Sequence, residues 1–161
     1  MAKKIIGVMG PGDGATKQDI TLAEKLGSLI ARQKWALLTG GRNVGVMNAA
    51  SKGAQSAGGL TIGILPSAKR EEASAYLDIP ICTGMGSARN NINVLSSDVV
   101  IACGSGLGTT SEIMLSLKAG KPVVLLNQTD AALAFIKELT SLEPKVVNTA
   151  EEAVDAVKNF L

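Results

Sequence analysis

Glu112 stands three residues after Thr109 in the stretch Gly104-Ser105-Gly106-Leu107-Gly108-Thr109-Thr110-Ser111-Glu112, which directly follows the apolar run Val99–Cys103. An apolar run, a three-glycine turn and a polar helical turn carry a buried strand to a sheet edge and aim the next helix's free N–H groups back at the bend. Those groups lack intrahelical partners and sit at the positive end of the helix dipole, so the chemistry on offer is anion binding. The Thr109-x-x-Glu112 spacing also fits a capping box in which Glu112 reaches back to the Thr109 amide. The other reading makes Glu112 an acid/base group or a hydrogen-bond acceptor beside the anion, and the two roles can coexist.

Two further glycine turns follow apolar runs. Gly10-Pro11-Gly12-Asp13-Gly14-Ala15 has the G-x-G-x-x-G/A spacing of a dinucleotide turn. The second run, however, ends in Thr39-Gly40-Gly41-Arg42 where a ribose-binding carboxylate would stand, which argues against an ordinary nicotinamide enzyme. No P-loop sequence is present. Gly40, Gly41 and Gly45 bring amides to the same edge, and Arg42 among them is either a forked phosphate partner or a solvated loop charge. Arg89 falls in the first turns of a helix, where the dipole disfavours a cation unless an anion or carboxylate lies nearby. Asn90, Asn91 and Asn93 follow it, and three asparagines in four residues are poor helix formers, so propensity does not explain them. Cys103 ends the central run and reads either as a small buried hydrophobe or as a soft ligand beside the site.

Composition removes several alternatives. The chain has no histidine, so Ser-His-Asp and Cys-His catalysis and histidine metal sites are out. Cys82 and Cys103 form no CxxC pair, which points away from a disulfide framework or zinc site and toward a reducing compartment. A net charge of +2 without a basic stripe, and only 2% aromatic residues, leave no nucleic-acid footprint. The apolar run after Met1-Ala2-Lys3-Lys4 is too short for a signal-peptide core, and nothing approaches a membrane span. The expectation is a soluble, cytoplasmic protein.

The elements that must position these groups alternate along the chain. Aliphatic runs at 4–9, 35–39, 60–65, 79–82, 99–103, 122–126 and 145–147 predict strands. Helical spacing predicts helices at 17–33, 46–54, after Gly86 with Ala88, Ile92 and Leu95 on one face, through Ile113 and Leu117, at 131–139, and after Thr149-Ala150-Glu151-Glu152, another capping-box spacing. The charged segment 66–78 reads as an exposed loop, either a plain connection or a mobile flap. Residues 1–161 therefore form one domain, an α/β doubly wound, mainly parallel sheet with helices on both faces. The glycine loops all leave the carboxyl ends of strands, the edge where such sheets bind ligands.

Gly40-Gly41 to Gly45-Val46-Met47, the Arg89-Asn90 helix and Gly106-Leu107-Gly108-Thr109-Thr110-Ser111-Glu112 together resemble the Lonely Guy superfamily, once misnamed lysine decarboxylases. The resemblance covers nearly the whole chain and implies a Rossmann-like fold, a nucleotide-type ligand and a homodimer or homotetramer. Enzymes of that superfamily release ribose 5-phosphate from nucleoside 5′-monophosphates, using Pro-Gly-Gly-x-Gly-Thr-x-x-Glu and an Arg-Lys pair. Here Gly104 and Ser105 replace Pro-Gly and Asn90 replaces the lysine, whereas Gly106, Gly108, Thr109, Glu112 and Arg89 match. The short Arg-Asn form is more similar to the molybdenum cofactor carrier proteins and their bacterial homologues. That similarity implies a carrier for molybdopterin with its molybdate group, with molybdoenzymes as acceptors. The resemblance and the loops together assign the small phosphorylated ligand to Gly10, Gly12, Asp13, Gly14, Gly40, Gly41, Arg42, Gly45, Arg89, Asn90, Asn93, Gly104, Ser105, Gly106, Leu107, Gly108, Thr109, Thr110 and Glu112. On the alternative reading, a phosphoribohydrolase acting on a nucleoside monophosphate, Arg89 and Glu112 are catalytic.

Overall fold

A computed structural model describes residues 2–161. Seven strands, β1 (Ile5–Met9), β2 (Ala36–Thr39), β3 (Leu60–Leu65), β4 (Ile79–Cys82), β5 (Val99–Cys103), β6 (Val123–Leu126) and β7 (Lys145–Val147), form one sheet in the order β4-β3-β2-β1-β5-β6-β7. Every neighbouring pair is parallel. The helices are α1 (Lys17–Arg32), α2 (Gly45–Ser56), α3 (Asn90–Ser96), α4 (Leu107–Lys118), α5 (Asp130–Leu139) and α6 (Ala150–Phe160), with a 3₁₀ turn at Gly86–Arg89 ahead of α3. This is the Rossmann-like α/β architecture that the alternating runs predict.

The inner strands read as largely aliphatic runs because both faces are covered, whereas the edge strands β4 and β7 are mostly exposed. Ile6, Val8, Val99, Ile101, Val124 and Leu126 pack on the side of α1, α2 and α6. The intervening Val100, Ala102, Val123 and Leu125 face the side of α3, α4 and α5. With so few aromatic rings available, that core is filled by small aliphatic side chains and close helix approach. α1 and α2 come nearest, at Gly27 and Gly53: a Cβ on Gly53 would collide with the backbone of Glu24, and one on Gly27 with the carbonyl of Ala50. Both partners are backbone and cannot rotate away. Gly53→Ala is therefore expected to destabilise the fold by about 2 kcal/mol despite its better helix propensity. Urea unfolding measures this, and a gain in midpoint would show that the two helices can separate freely.

Two capping boxes set helix starts. Thr149 with Glu152 opens α6 as its spacing predicts, and Thr16 with Asp19 opens α1. At α4 the expected box does not form. Gly106 is the extended N-cap, so the helix begins at Leu107 and Glu112 lies in its second turn. The carboxylate is thus one turn too far along to reach the capping position.

The segment 66–78 also differs from a plain solvated connection. Its tip is exposed, but Ser74 donates its N–H to the Gly41 carbonyl, Asn43 donates to Glu72, and the Ser74 hydroxyl donates to Asn48. An antiparallel bridge pairs Arg42 with Ala73, and Asp78 accepts from the Thr61 N–H. Strand order reverses between β1 and β5, the position where an open sheet leaves a crevice between diverging loops.

Candidate functional site

A cavity of about 720 Å³ opens at that crevice, within the range of small-ligand sites. Five successive loops wall it: Gly10, Gly12, Asp13 and Gly14 after β1; Gly40 and Arg42 after β2; Pro66 and Glu72 after β3; Gly86, Ser87, Arg89 and Asn90 after β4; and Ser105, Gly106, Leu107, Gly108, Thr109 and Glu112 after β5. The convergence read from the three glycine loops is real. Met9, Pro11, Met47, Pro66, Glu72, Gly86 and Ser87 also line the cavity and were not foreseen. Gly86-Ser87 follows a strand as the other loops do, and Pro11 and Met47 lie within the quoted glycine motifs, so these carried a sequence signal; Met9, Pro66 and Glu72 carried none.

Five expected residues stand behind the wall instead. Gly104 takes a left-handed conformation (φ +80°) and lies so close to Asp19 that a Cβ would strike its carboxylate. Gly45 (φ +54°) is pressed against the carbonyls of Pro11 and Gly12, and Gly41 against the backbone of Gly63. Thr110 donates its N–H to Gly106 and is absent from the lining, and Asn93 is buried beneath. Their part is to shape the loops.

Arg89 is buried rather than a surface cation. Its Nε donates to the Ile64 carbonyl at 2.9 Å, one Nη to the Gly40 carbonyl at 3.3 Å, and the other to Asn90 Oδ1. The guanidinium thereby joins the ends of β2 and β3 to the 3₁₀ turn, and burial lowers its pKa against the opposing pull of Glu112. Asn90 in turn donates to the Ser111 hydroxyl, and Ser111 to the Gly108 carbonyl, linking α3 to the first turn of α4.

Glu112 is only 5% exposed and accepts a 2.8 Å hydrogen bond from Asn93 Nδ2. Burial pushes its carboxyl up to about 7, with the Asn93 bond and the Arg89 charge pulling the other way. The capping alternative is replaced by a buried acceptor at the cavity floor. Two polar atoms beside it are buried without partners, Asn93 Oδ1 and Thr109 Oγ1, and Thr109 lines the cavity at 2% exposure.

Arg42 stands partly exposed at the cavity mouth. It lines the cavity, yet lies 3.9 Å from Asp13 and 3.8 Å from Glu72, two exposed carboxylates at the same mouth. Such partly solvated pairs hold weakly and can yield to a competing anion. Cys103 follows the bland reading: it is fully buried, outside the lining, and its thiol is pushed up to about 12, first by desolvation. No cluster of three metal-ligating side chains occurs among the described residues. Among them, no helix is long and apolar enough to cross a membrane.

The β5–α4 loop is held from outside the cavity. Gln128 donates to the Gly104 carbonyl at 2.6 Å and accepts from the Ser105 hydroxyl, while Asn127 donates to Asp19 behind Gly104. Sequence reasoning missed these three supports because their partners lie 23 or more residues away.

A family model described as the SLOG cluster4 family matches residues 3–154. The chain is similar, at 55% identity and TM-score 0.97, to the molybdenum cofactor binding protein from the phototrophic bacterium Rippkaea orientalis, with 99% of this chain and 98% of that one covered. It is similar at 49% identity and TM-score 0.93, over the same shares, to the molybdenum cofactor carrier protein of Chlamydomonas reinhardtii. A protein of Archaeoglobus fulgidus is 42% identical over 151 residues, 93% of this chain and 91% of that one.

Proposed function

The chain belongs to the SLOG cluster4 family, and on that premise we propose that it binds and carries molybdenum cofactor, a phosphorylated pterin bearing molybdate, in the β1–β5 crevice. Two solved relatives that match almost its whole length bind or carry that molecule. The observation that carries the reading is Thr109. Its hydroxyl is buried without a partner at the head of α4, against a cavity walled by glycine loops. An unpaired buried hydroxyl costs about 1–3 kcal/mol, which an anion accepting its proton would recover. The free N–H groups of Leu107, Gly108 and Thr109 point the same way, and Arg42 supplies a cation at the mouth.

In this reading Gly10, Gly12, Asp13, Gly14, Gly40, Arg42, Arg89, Asn90, Ser105, Gly106, Leu107, Gly108, Thr109 and Glu112 meet the ligand. Gly41, Gly45, Asn93, Gly104 and Thr110 shape the loops around it. The protein works in the cytoplasm as a homodimer or homotetramer, shields the pterin and its metal group from oxidation, and passes them to molybdoenzymes.

Cofactor freshly released from a molybdoenzyme tests this. Its survival in air, read by reconstitution of a cofactor-free molybdoenzyme, should lengthen several-fold with this protein, and Thr109→Val should lose most of that protection. No protection at saturating protein would overturn the reading. So would rapid release of ribose 5-phosphate from AMP that disappears in Glu112→Ala.

A further inference from the structure

Leu107 is 95% exposed, the most open of the large apolar side chains among the described residues. A lone exposed leucine is ordinary on a protein surface. This one is the first residue of α4, lies between two glycines, and lines the cavity. Its position is not explained by folding, since it packs in none of the hydrophobic clusters. Behind the preceding residue lies Pro11, itself buried in the lining: a Cβ on Gly106 would sit 3.4 Å from the proline ring, in ordinary contact.

The lining contains no aromatic residue on which a flat heterocycle could stack. A phosphate group held by the first-turn N–H groups of α4 leaves the rest of its molecule within reach of the Leu107 side chain. Met9 and Met47 are the other large apolar side chains of the lining, and both are buried.

We propose that Leu107 is the apolar face against which the ring of a phosphorylated heterocycle lies, so that it selects ring-bearing phosphates over simple oxoanions. The inference rests on the reading of the cavity as a phosphate site. Covering an isobutyl group by a ring removes apolar surface on both partners from water, which strengthens binding of the ring and leaves the anion subsite untouched.

Calorimetric titration of three probes tests it: inorganic phosphate, GMP and neopterin monophosphate. The wild-type protein should bind the two ring-bearing probes more tightly than phosphate. Leu107→Ala, which keeps the backbone N–H and removes the isobutyl group, should weaken the two ring-bearing probes about tenfold more than it weakens phosphate. Leu107→Met should keep most of the ring affinity, because its side chain offers a similar apolar area. Equal loss for phosphate and ring-bearing probes, or loss below twofold for the latter, would overturn the role of Leu107 while leaving the phosphate site standing. Ring-bearing probes that bind no tighter than phosphate would do the same. Failure of the wild-type protein to bind any of the three would overturn both this inference and the phosphate reading beneath it.

Discussion

Arg89→Met is expected to lower the free energy of unfolding by about 4 kcal/mol, because it dismantles a buried charged tie rather than a surface contact. The methionine fills much of the same space but donates nothing. Three acceptors lose their donors at once: the carbonyls of Ile64 and Gly40 and the side chain of Asn90. Each buried acceptor left unpaired costs roughly 1–3 kcal/mol before any relaxation. Glu112 also loses the positive charge that offsets its own burial. The ends of β2 and β3 then lose their connection to the 3₁₀ turn, so the cavity should lose its ligand as well as its stability. Arg89→Lys should rescue little, since a single ammonium lacks the fork that spans separated acceptors. Guanidinium unfolding of the three proteins measures it; a loss below 1 kcal/mol in Arg89→Met would mean that water replaces the guanidinium without penalty.

Glu112→Gln should abolish most of the stability change between pH 4.5 and 7. The folded carboxyl titrates near 7 against an ordinary value of 4.5. Below 4.5 it is protonated in both states and contributes no difference. Between the two values the folded state holds a proton that the unfolded state has released, so stability falls as pH rises. Above 7 both states are ionised and the loss is complete. A shift of this size corresponds to about 3 kcal/mol across the window. The glutamine variant can still accept from Asn93 and carries no charge at any pH, so its profile should be flat there and lie above the wild type at pH 8. Parallel profiles for the two proteins would show that Glu112 is hydrated and titrates normally. An anion bound beside Glu112 would favour its protonated form further, so ligand binding near neutral pH should take up protons, measurable by calorimetry in buffers of different ionisation heat.

Much of this architecture is written locally. A strand buried on both faces needs an unbroken aliphatic run, and Val99–Cys103 or Val123–Leu126 can hardly be anything else. A capping box needs a short polar side chain and a reciprocal acid three residues on, and Thr149 with Glu152 satisfies that within four residues. The same rule misplaces Glu112 because Thr109-x-x-Glu112 carries the right spacing one turn too late. What decides the start of α4 is the extended backbone at Gly106, which is set by how β5 leaves the sheet.

The sequence by itself determined the alternation of strands and helices, the three glycine loops and the absence of histidine chemistry, since each depends on residue type or on neighbours a few positions apart. Only the tertiary structure decided what the polar residues do. Arg89 finds its carbonyls 25 and 49 residues away, and Glu112 finds Asn93 at a separation of 19. Parallel strands must be joined by long crossovers, so the residues that meet at their carboxyl ends are always distant in the chain. Burial at that meeting point sets the protonation of Glu112, leaves Thr109 without a partner and turns Arg89 from a surface charge into a structural tie.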